Sequence, residues 1–110
     1  MSYSVIPIEL FKREAKRLAK KYSSLKDELS ELSKALERNP EIGTPLGNNA
    51  FKVRLAIKSK GKGKSGGARV ITYLITEDKE VYLLTIFDKS ELDSIDDKIL
   101  KKIIAEITKK

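Results

Sequence analysis

The spacing of apolar residues changes once along this chain, and the change indicates a fold that combines a helical layer with a sheet. From residue 9 to residue 36, apolar side chains recur every three or four positions, which is helical spacing. Glu9–Tyr22 carries lysines and arginines on its other side, and the leucine-rich stretch Leu25–Leu36 follows it. Only Ser23 and Ser24 separate the two stretches, so we predict two helices in an antiparallel hairpin.

Beyond residue 50 the apolar spacing has a period close to two, and β-branched and aromatic residues become frequent, which is typical of strands. With a short strand before the helices, four strands are predicted, over Tyr3–Ile8, Phe51–Ile57, Ala68–Thr76 and Val81–Phe87. Residues 41–50 and 59–67 are rich in glycine, and both are predicted to be loops.

The predicted order β-α-α-β-β-β-α is that of an α+β domain, in which a small twisted, mainly antiparallel sheet has the helical hairpin packed on one face. We expect a single domain over residues 1–110. The apolar side of the second predicted strand would face the hairpin: Phe51, Val53, Leu55 and Ile57. Lys52 and Arg54 would then lie on the opposite face, which we expect the isoleucine-rich final helix to cover after a capping Ser90 or Ser94. For the third strand the sequence leaves open which side faces the hairpin.

The basic charge of the chain is concentrated in one block. The net charge is +7, and residues 51–74 contain seven basic side chains and no acidic one. Cations crowded without counter-charges repel one another unless an anionic partner neutralises them. We therefore expect a nucleic acid or another polyanion as a partner, with a solvated basic surface as the alternative.

The residues that are absent exclude several classes of chemistry. The chain contains neither cysteine nor histidine, so disulfide scaffolds, zinc sites with nitrogen or sulfur ligands, thiol nucleophiles and imidazole-based triads are excluded. No apolar run has the length of a membrane span, and the first ten residues do not resemble a signal peptide. We expect a cytoplasmic protein without a membrane segment.

Two local motifs suggest other functions and are interpreted structurally. Gly61–Gly67 contains Gly-Lys-Ser, but Lys58 stands where the first glycine of a nucleotide-binding phosphate loop belongs, and a strand follows instead of a helix. Acidic residues near the C-terminus are interpreted as residues that favour a helix start, and not as metal ligands: Asp88, Glu91, Asp93, Asp96 and Asp97. We expect neither a metal nor a cofactor.

The string GKGKSGGARVI at residues 61–71, which follows a helical hairpin and a basic strand, resembles the RelE superfamily of bacterial toxins, and most of all its HigB-type branch. The resemblance covers nearly the whole chain. It implies a small twisted sheet with helices packed on it and the activity of a ribosome-dependent mRNA endonuclease, or mRNA interferase. It also implies a cognate antitoxin, which we expect to be a helix-turn-helix protein, in addition to the mRNA and the ribosome as partners.

The resemblance also implicates particular residues. It assigns catalysis to Lys52, Arg54, Arg69 and Lys89. Cleavage of RNA needs neither histidine nor metal when the 2′-hydroxyl is the nucleophile, because a base and cations that stabilise the phosphoryl charge suffice. In this interpretation Arg69 binds the scissile phosphate, Arg54 assists, and Lys52 or Lys89 is the candidate base. The residues expected to bind RNA are Lys58, Lys60, Lys62, Lys64 and Tyr73.

Two other functions remain open at this stage. A non-enzymatic module that binds RNA or the ribosome would carry the same charge, and ParE-like relatives with this fold inhibit DNA gyrase. Since Lys60, Lys62 and Lys64 fall in a predicted loop, we expect their joint replacement by alanine to weaken binding and to leave the fold intact.

Overall fold

The computed structural model of the protein describes residues 2–61, 63–92 and 94–108. Its elements follow one another as β1 (Ser4–Pro7), α1 (Glu9–Lys21), α2 (Leu25–Arg38), β2 (Thr44–Gly47), β3 (Ala50–Leu55), a 3₁₀ turn (Lys58–Lys60), α3 (Gly63–Gly66), β4 (Ala68–Ile75), β5 (Glu80–Asp88) and α4 (Asp97–Thr108). The predicted α+β class and the helical hairpin are confirmed. No helix among these residues is long and apolar enough to cross a membrane.

The strands form one mixed sheet in the order β1-β5-β4-β3-β2, in which β1 runs parallel to β5 and the other neighbours are antiparallel. The prediction of a loop over residues 41–50 is wrong, since β2 lies within it and forms a hairpin with β3. Asn48 and Asn49 form the turn with φ angles of 54° and 64°, the left-handed values that tight hairpins require. Pro45 is compatible with β2 because this strand lies at the edge of the sheet.

The predicted loop over residues 59–67 is also more regular than expected. It contains part of the 3₁₀ turn and the short helix α3, and its last residue, Gly67, directly precedes β4. A Cβ atom at Gly67 would lie 2.0 Å from the carbonyl oxygen of Leu55, so only glycine allows this close approach to β3.

The core on the first face of the sheet forms between the hairpin and the strands. Leu18, Leu25 and Leu36 are fully buried against it. The predicted orientation of β3 is confirmed, because its apolar residues belong to this cluster: Phe51, Val53 and Leu55, together with Ile57 beyond the strand end. The sequence left open which side of the third predicted strand faces the hairpin. In the structure Val70 and Leu74 of β4 belong to the same cluster, so their side of the strand faces it.

Helix α4 covers the second face, as expected. Leu100, Ile103 and Ile104 pack with Ile71 and Leu84 of the central strands. This face is therefore not open along its whole length.

The start of α4 differs from the prediction. The helix begins at Asp97, and the Asp96 carboxylate accepts a hydrogen bond from the Lys98 N–H at 2.7 Å. Neither Ser90 nor Ser94 caps it, because Asp96 is the residue that precedes the helix. Ser90 lies instead in a turn in which the backbone carbonyl oxygen of Asp88 accepts hydrogen bonds from the N–H groups of Glu91 and Leu92.

Candidate nucleic-acid interface

Two arginines face each other across neighbouring strands. Arg54 on β3 and Arg69 on β4 are direct partners in the antiparallel register, where Cβ atoms are about 4.5–5.5 Å apart. Arg54 is exposed, whereas Arg69 is only 2 % exposed, and its Nη1 donates to the carbonyl oxygen of Ala68 at 3.2 Å. Like charges directly opposite each other repel, and an anion that bridges the two guanidiniums would reduce this repulsion.

Lys52 adds a third cation along β3. It lies two residues from Arg54 on the same side of the strand and pairs in register with Thr44 of β2. Lys52 and Arg54 line a surface hollow of about 250 Å³ together with Gly43 and Thr44. The hollow lies at the edge of the sheet, where an extended polyanion has access.

Lys89 follows the last residue of β5, and its backbone places it close to the arginine pair. Its N–H donates to the carbonyl oxygen of Gly67 at 3.0 Å, which continues the pairing of β5 with β4 beyond Asp88. Gly67 is two residues before Arg69. Arg54, Arg69 and Lys89 therefore lie at the same end of β3, β4 and β5, whereas Lys52 lies further along β3, in register with Ile71 in the middle of the sheet. We call Lys52, Arg54, Arg69 and Lys89 the basic strip.

Next to the basic strip lies a buried carboxylate, Asp88, which the sequence analysis interpreted only as an acidic residue near a helix start. Asp88 is fully buried; its Oδ2 accepts a hydrogen bond from the Tyr22 hydroxyl at 2.5 Å, and its Oδ1 accepts one from the Ser90 N–H at 3.0 Å. The Lys60 ammonium donates to the same Oδ1, and the Lys21 ammonium lies 4.0 Å from Oδ2. Burial alone would raise the pKa of Asp88, but the hydrogen bonds from Lys60, Tyr22 and Ser90 together hold that pKa well below its usual range.

This carboxylate changes the interpretation of the lysine loop. The Lys60 side chain is 12 % exposed and is directed inward to Asp88, so its ammonium does not face solvent as a loop lysine would. The loop is also tied to α2: the Lys58 N–H donates to Glu28 at 2.6 Å, and the Ser59 N–H donates to the Ser24 hydroxyl at 2.9 Å. Replacement of the loop lysines by alanine was predicted to leave the fold intact. Because Lys60 pairs with the buried Asp88, its replacement should instead destabilise the fold.

The other predicted RNA-binding residues are distributed differently. Lys58 is exposed beside the basic strip and lines a cleft of about 420 Å³ with Arg54 and acidic residues of α2. Tyr73 is half-buried, four residues along β4 from Arg69, or about 13 Å, and borders α4. Lys62 lies outside the described residues, and the side chain of Lys64 is not described.

The acidic residues near the C-terminus have structural partners, and the predicted position at a helix start is confirmed for Asp96 and Asp97; it is wrong for Asp88, which ends β5, and for Glu91, which lies in the turn that follows. Asp88 binds Lys60 and Tyr22, and Asp96 binds the N–H of Lys98 at the start of α4. Glu91 pairs with Arg17 at 3.1 Å, and Asp97 pairs with Lys101 at 3.2 Å. Asp93 lies outside the described residues. In the described part of the chain, no group of three acidic side chains is placed to hold a metal ion.

Comparisons with known proteins identify the family. A family model described as the RelE toxin of the RelE / RelB toxin-antitoxin system matches residues 8–110. The chain belongs to the RelE toxin family. It is thus a RelE-family toxin of a toxin-antitoxin system, and the expected superfamily is confirmed, whereas the match does not distinguish the HigB-type branch.

Solved structures of RelE-family toxins share this fold. An arginine-to-alanine double mutant of the Escherichia coli toxin RelE in the free state is 17% identical, with a TM-score of 0.62 over 97% of this chain and 99% of that one. Isolated E. coli RelE is 16% identical, with a TM-score of 0.60 over 96% and 98%. The toxin-antitoxin complex RelBE2 from Mycobacterium tuberculosis is 20% identical, with a TM-score of 0.60 over 80% and 92%.

The sequence offered only a weak signal for the buried cluster of Asp88, Tyr22 and Lys60. Asp88 is the acidic residue that ends an otherwise apolar strand and precedes Lys89, a position where a carboxylate becomes buried only if it has partners. Its partners Tyr22 and Lys60 come from parts of the chain 66 and 28 positions away, so no local pattern shows them.

Proposed function

We propose that this toxin is a ribosome-dependent mRNA endonuclease of the HigB-type branch that cleaves RNA through its own 2′-hydroxyl. The observation that carries the proposal is the opposed pair of Arg54 and Arg69, with Lys89 at the same end of the sheet and Lys52 two residues from Arg54 on the same side of β3. Membership of the RelE family supports it, as does the similarity of residues 61–71 to the HigB-type branch.

The arrangement suits stabilisation of a phosphoryl group whose charge increases during the reaction. A guanidinium stays charged and can bind two phosphate oxygens at once. The exposed guanidinium of Arg54 is accessible to the incoming RNA, whereas Arg69 lies in the central strand β4 with its side chain only 2 % exposed, so it contacts a phosphate only after its side chain turns outward. In this proposal Arg69, once turned outward, holds the scissile phosphate, and Arg54 assists from the neighbouring strand.

The reaction needs one proton removed and one delivered. The 2′-oxygen attacks the adjacent phosphorus, the bond to the 5′-oxygen of the next nucleotide breaks, and the products carry a 2′,3′-cyclic phosphate and a 5′-hydroxyl. The base removes the 2′-hydroxyl proton, and Lys52 and Lys89 are the candidates because both lie on the basic strip. Water or a second side chain protonates the leaving oxygen.

The test is the conservative replacement of each arginine by lysine, assayed with purified ribosomes carrying a short message. Arg54→Lys and Arg69→Lys keep the charge and lose the two-pronged contact, so we expect cleavage to slow by about 10²–10³-fold, the usual cost of a lost transition-state donor. Arg38→Lys is the matched control, because Arg38 is exposed at the end of α2, where the Glu37 carbonyl oxygen accepts from the Tyr3 N–H, and the start of β1 lies at the opposite end of the sheet from Arg69 and Lys89. Full cleavage by folded Arg54→Lys and Arg69→Lys variants would remove the arginine pair from the mechanism.

The chemistry of the new RNA ends decides between the functions. Transcript ends that appear on brief induction and carry a 2′,3′-cyclic phosphate, identified by mass spectrometry, support the endonuclease. Growth inhibition without new ends rejects it. A positive DNA supercoiling assay would then indicate a ParE-like gyrase inhibitor, and ribosome binding without cleavage would indicate a non-enzymatic module.

The expected partner in neutralisation is a helix-turn-helix antitoxin that covers the basic strip with an acidic segment. The exposed Arg54 and the half-buried Lys52 and Lys89 attract acidic side chains, and salt screens such contacts. We expect the complex to dissociate faster at high salt. A dissociation rate that does not change with salt would argue against an acidic contact.

A further inference from the structure

A hollow lies beyond the basic strip, between the β2–β3 turn and α4. Its volume of about 420 Å³ is within the range of about 300–1,000 Å³ that is usual for sites that bind small groups. Its walls come from three elements that are distant in the chain: Asn48 and Asn49 of the turn, Tyr73 of β4, and Lys101, Ile104 and Ala105 of α4. We call this hollow the turn pocket.

The turn pocket and the basic strip follow one another along the second face of the sheet. Directly opposed residues of antiparallel strands project from the same face, and three such pairs of β3 and β4 project from this one: Arg54 with Arg69, Lys52 with Ile71, and Ala50 with Tyr73. Each pair is about 7 Å further along the strands, so Tyr73 lies about 13 Å from the arginine pair. A single RNA strand with one phosphate at the arginine pair can therefore follow β3 past Lys52 to the turn pocket.

The polar groups of the turn pocket are not used by the fold. The hydroxyls of Tyr22 and Tyr82 donate to carboxylates, whereas within the described residues the Tyr73 hydroxyl and the side-chain amides of Asn48 and Asn49 form no hydrogen bond. These groups are therefore available to a ligand that supplies donors and acceptors.

The β2–β3 turn is held in place without these amides. The carbonyl oxygen of Asn49 accepts a hydrogen bond from the Leu74 N–H at 2.9 Å, which ties the turn to β4. The φ angles of 54° and 64° at Asn48 and Asn49 are values that glycine adopts at least as readily. The backbone of the turn thus does not require amide side chains at these two positions.

The lining of the turn pocket matches the two kinds of surface of a nucleobase. A base has an aromatic face that stacks on an aromatic ring, and an edge with donors and acceptors side by side. The half-buried ring of Tyr73 and the apolar Ile104 suit the face, and the two amides, each with a donor and an acceptor, suit the edge. The side chain of Lys101, which is 63 % exposed and pairs with Asp97 on the same helix, adds a cation near a backbone phosphate.

We propose that the turn pocket binds an unpaired nucleobase of the message, with Tyr73 against its face and Asn48 and Asn49 at its edge. The pocket recognises one nucleotide near the cleaved bond, while the basic strip acts on the phosphate. This inference rests on the proposed function, because it assumes that the message runs along β3 from the arginine pair.

The experiment measures cleavage of short messages on purified ribosomes, with each of the four bases placed in turn at every position near the cleaved bond. A good contact with a base edge discriminates by about 5–150-fold, so the wild type should prefer one base by such a factor at one position. Asn48→Gly/Asn49→Gly keeps the turn and removes both amides, so the preference at that position alone should be lost. Asn48→Asp and Asn49→Asp exchange donors for acceptors, so at least one of them should change which base is preferred.

Replacement of the tyrosine tests the stacking contact. Tyr73→Leu removes the ring and should raise KM for the message by about 5–150-fold, the contribution of one stacked base. Tyr82→Leu is the matched control, because Tyr82 is also half-buried, lies opposite Tyr73 in register on β5 and does not line the turn pocket. Equal effects of the two variants on KM would show that loss of packing explains both, and would overturn the stacking role.

Three results would overturn the inference while the toxin still cleaves RNA. They are a wild type without base preference near the cleaved bond, an Asn48→Gly/Asn49→Gly variant that keeps the wild-type preference, and loss of antitoxin binding in this variant with the base preference intact, which would indicate a protein interface. A wild-type toxin that generates no new RNA ends would instead refute the proposed function.

Discussion

Replacement of Lys60 by methionine removes the ammonium that neutralises the buried carboxylate of Asp88. The side chain of Lys60 is 12 % exposed and that of Asp88 is 0 % exposed, so solvent cannot replace the lost partner. Breaking a buried ion pair by removing one partner costs about 3–5 kcal/mol. The Tyr22 hydroxyl and the Ser90 N–H still donate to Asp88, and the Lys21 ammonium remains 4.0 Å from its Oδ2, so we expect the lower end, about 3 kcal/mol in the free energy of unfolding.

Urea unfolding measures this effect directly. With a denaturant slope of about 1–3 kcal/mol/M, a loss of about 3 kcal/mol lowers the midpoint by about 1–3 M. Lys58→Met is the matched control, because it removes the same charge from an exposed neighbour whose tie to Glu28 uses only the backbone N–H. Its effect should stay within about 0.5 kcal/mol.

A double variant isolates the interaction. Lys60→Met combined with Asp88→Asn removes both charges, so it should be less destabilised than the sum of the two single variants. The reasoning fails if Lys60→Met and Lys58→Met unfold at the same urea concentration, or if the double variant is simply additive. Either result would mean that Lys60 is solvated and that the loop is free, as the sequence alone suggests.

Two further predictions concern the same end of the sheet. The folded pKa of Asp88 lies below its unfolded value of about 3.9, so its contribution to stability is complete above that pH and is lost as the pH falls below it. Urea midpoints of the wild type measured from pH 6 to pH 3 should therefore fall toward low pH. In Asp88→Asn this fall should be smaller, because the titrating carboxylate is absent. Gly67→Ala should lower the melting temperature strongly, because its Cβ would lie 2.0 Å from the carbonyl oxygen of Leu55. Gly47→Ala is the control: no atom lies within 4 Å of its Cβ, so with a φ of 86° it should cost only the backbone strain of about 1–2 kcal/mol. Similar melting temperatures for the two variants would contradict this reasoning.

The sequence determined the elements whose apolar residues repeat. The period of α1 and α2 and the alternation of β3 depend on neighbours within a few residues, so the hairpin, the sheet and the orientation of Phe51 and Val53 could be predicted. By contrast, β2 has no alternating pattern and exists because the free edge of β3 offers hydrogen bonds, which only the folded sheet supplies.

Part of the candidate site could likewise be predicted from the sequence, and part of it depends on the fold. The sequence places seven cations between residues 51 and 74, and the resemblance selects Lys52, Arg54 and Arg69 among them. Only the fold places Arg54 opposite Arg69, because the pairing register depends on where two strands meet.

The tertiary structure also decided which cations face outward. Lys58 and Lys60 look equivalent in the sequence, yet Lys60 is paired with a carboxylate 28 positions away, and Lys58 is exposed. A carboxylate at the end of a buried strand must find donors wherever the chain brings them, since leaving it uncompensated costs several kcal/mol. The compensation of charge is therefore set by contacts between distant segments, and neither composition nor periodicity encodes it.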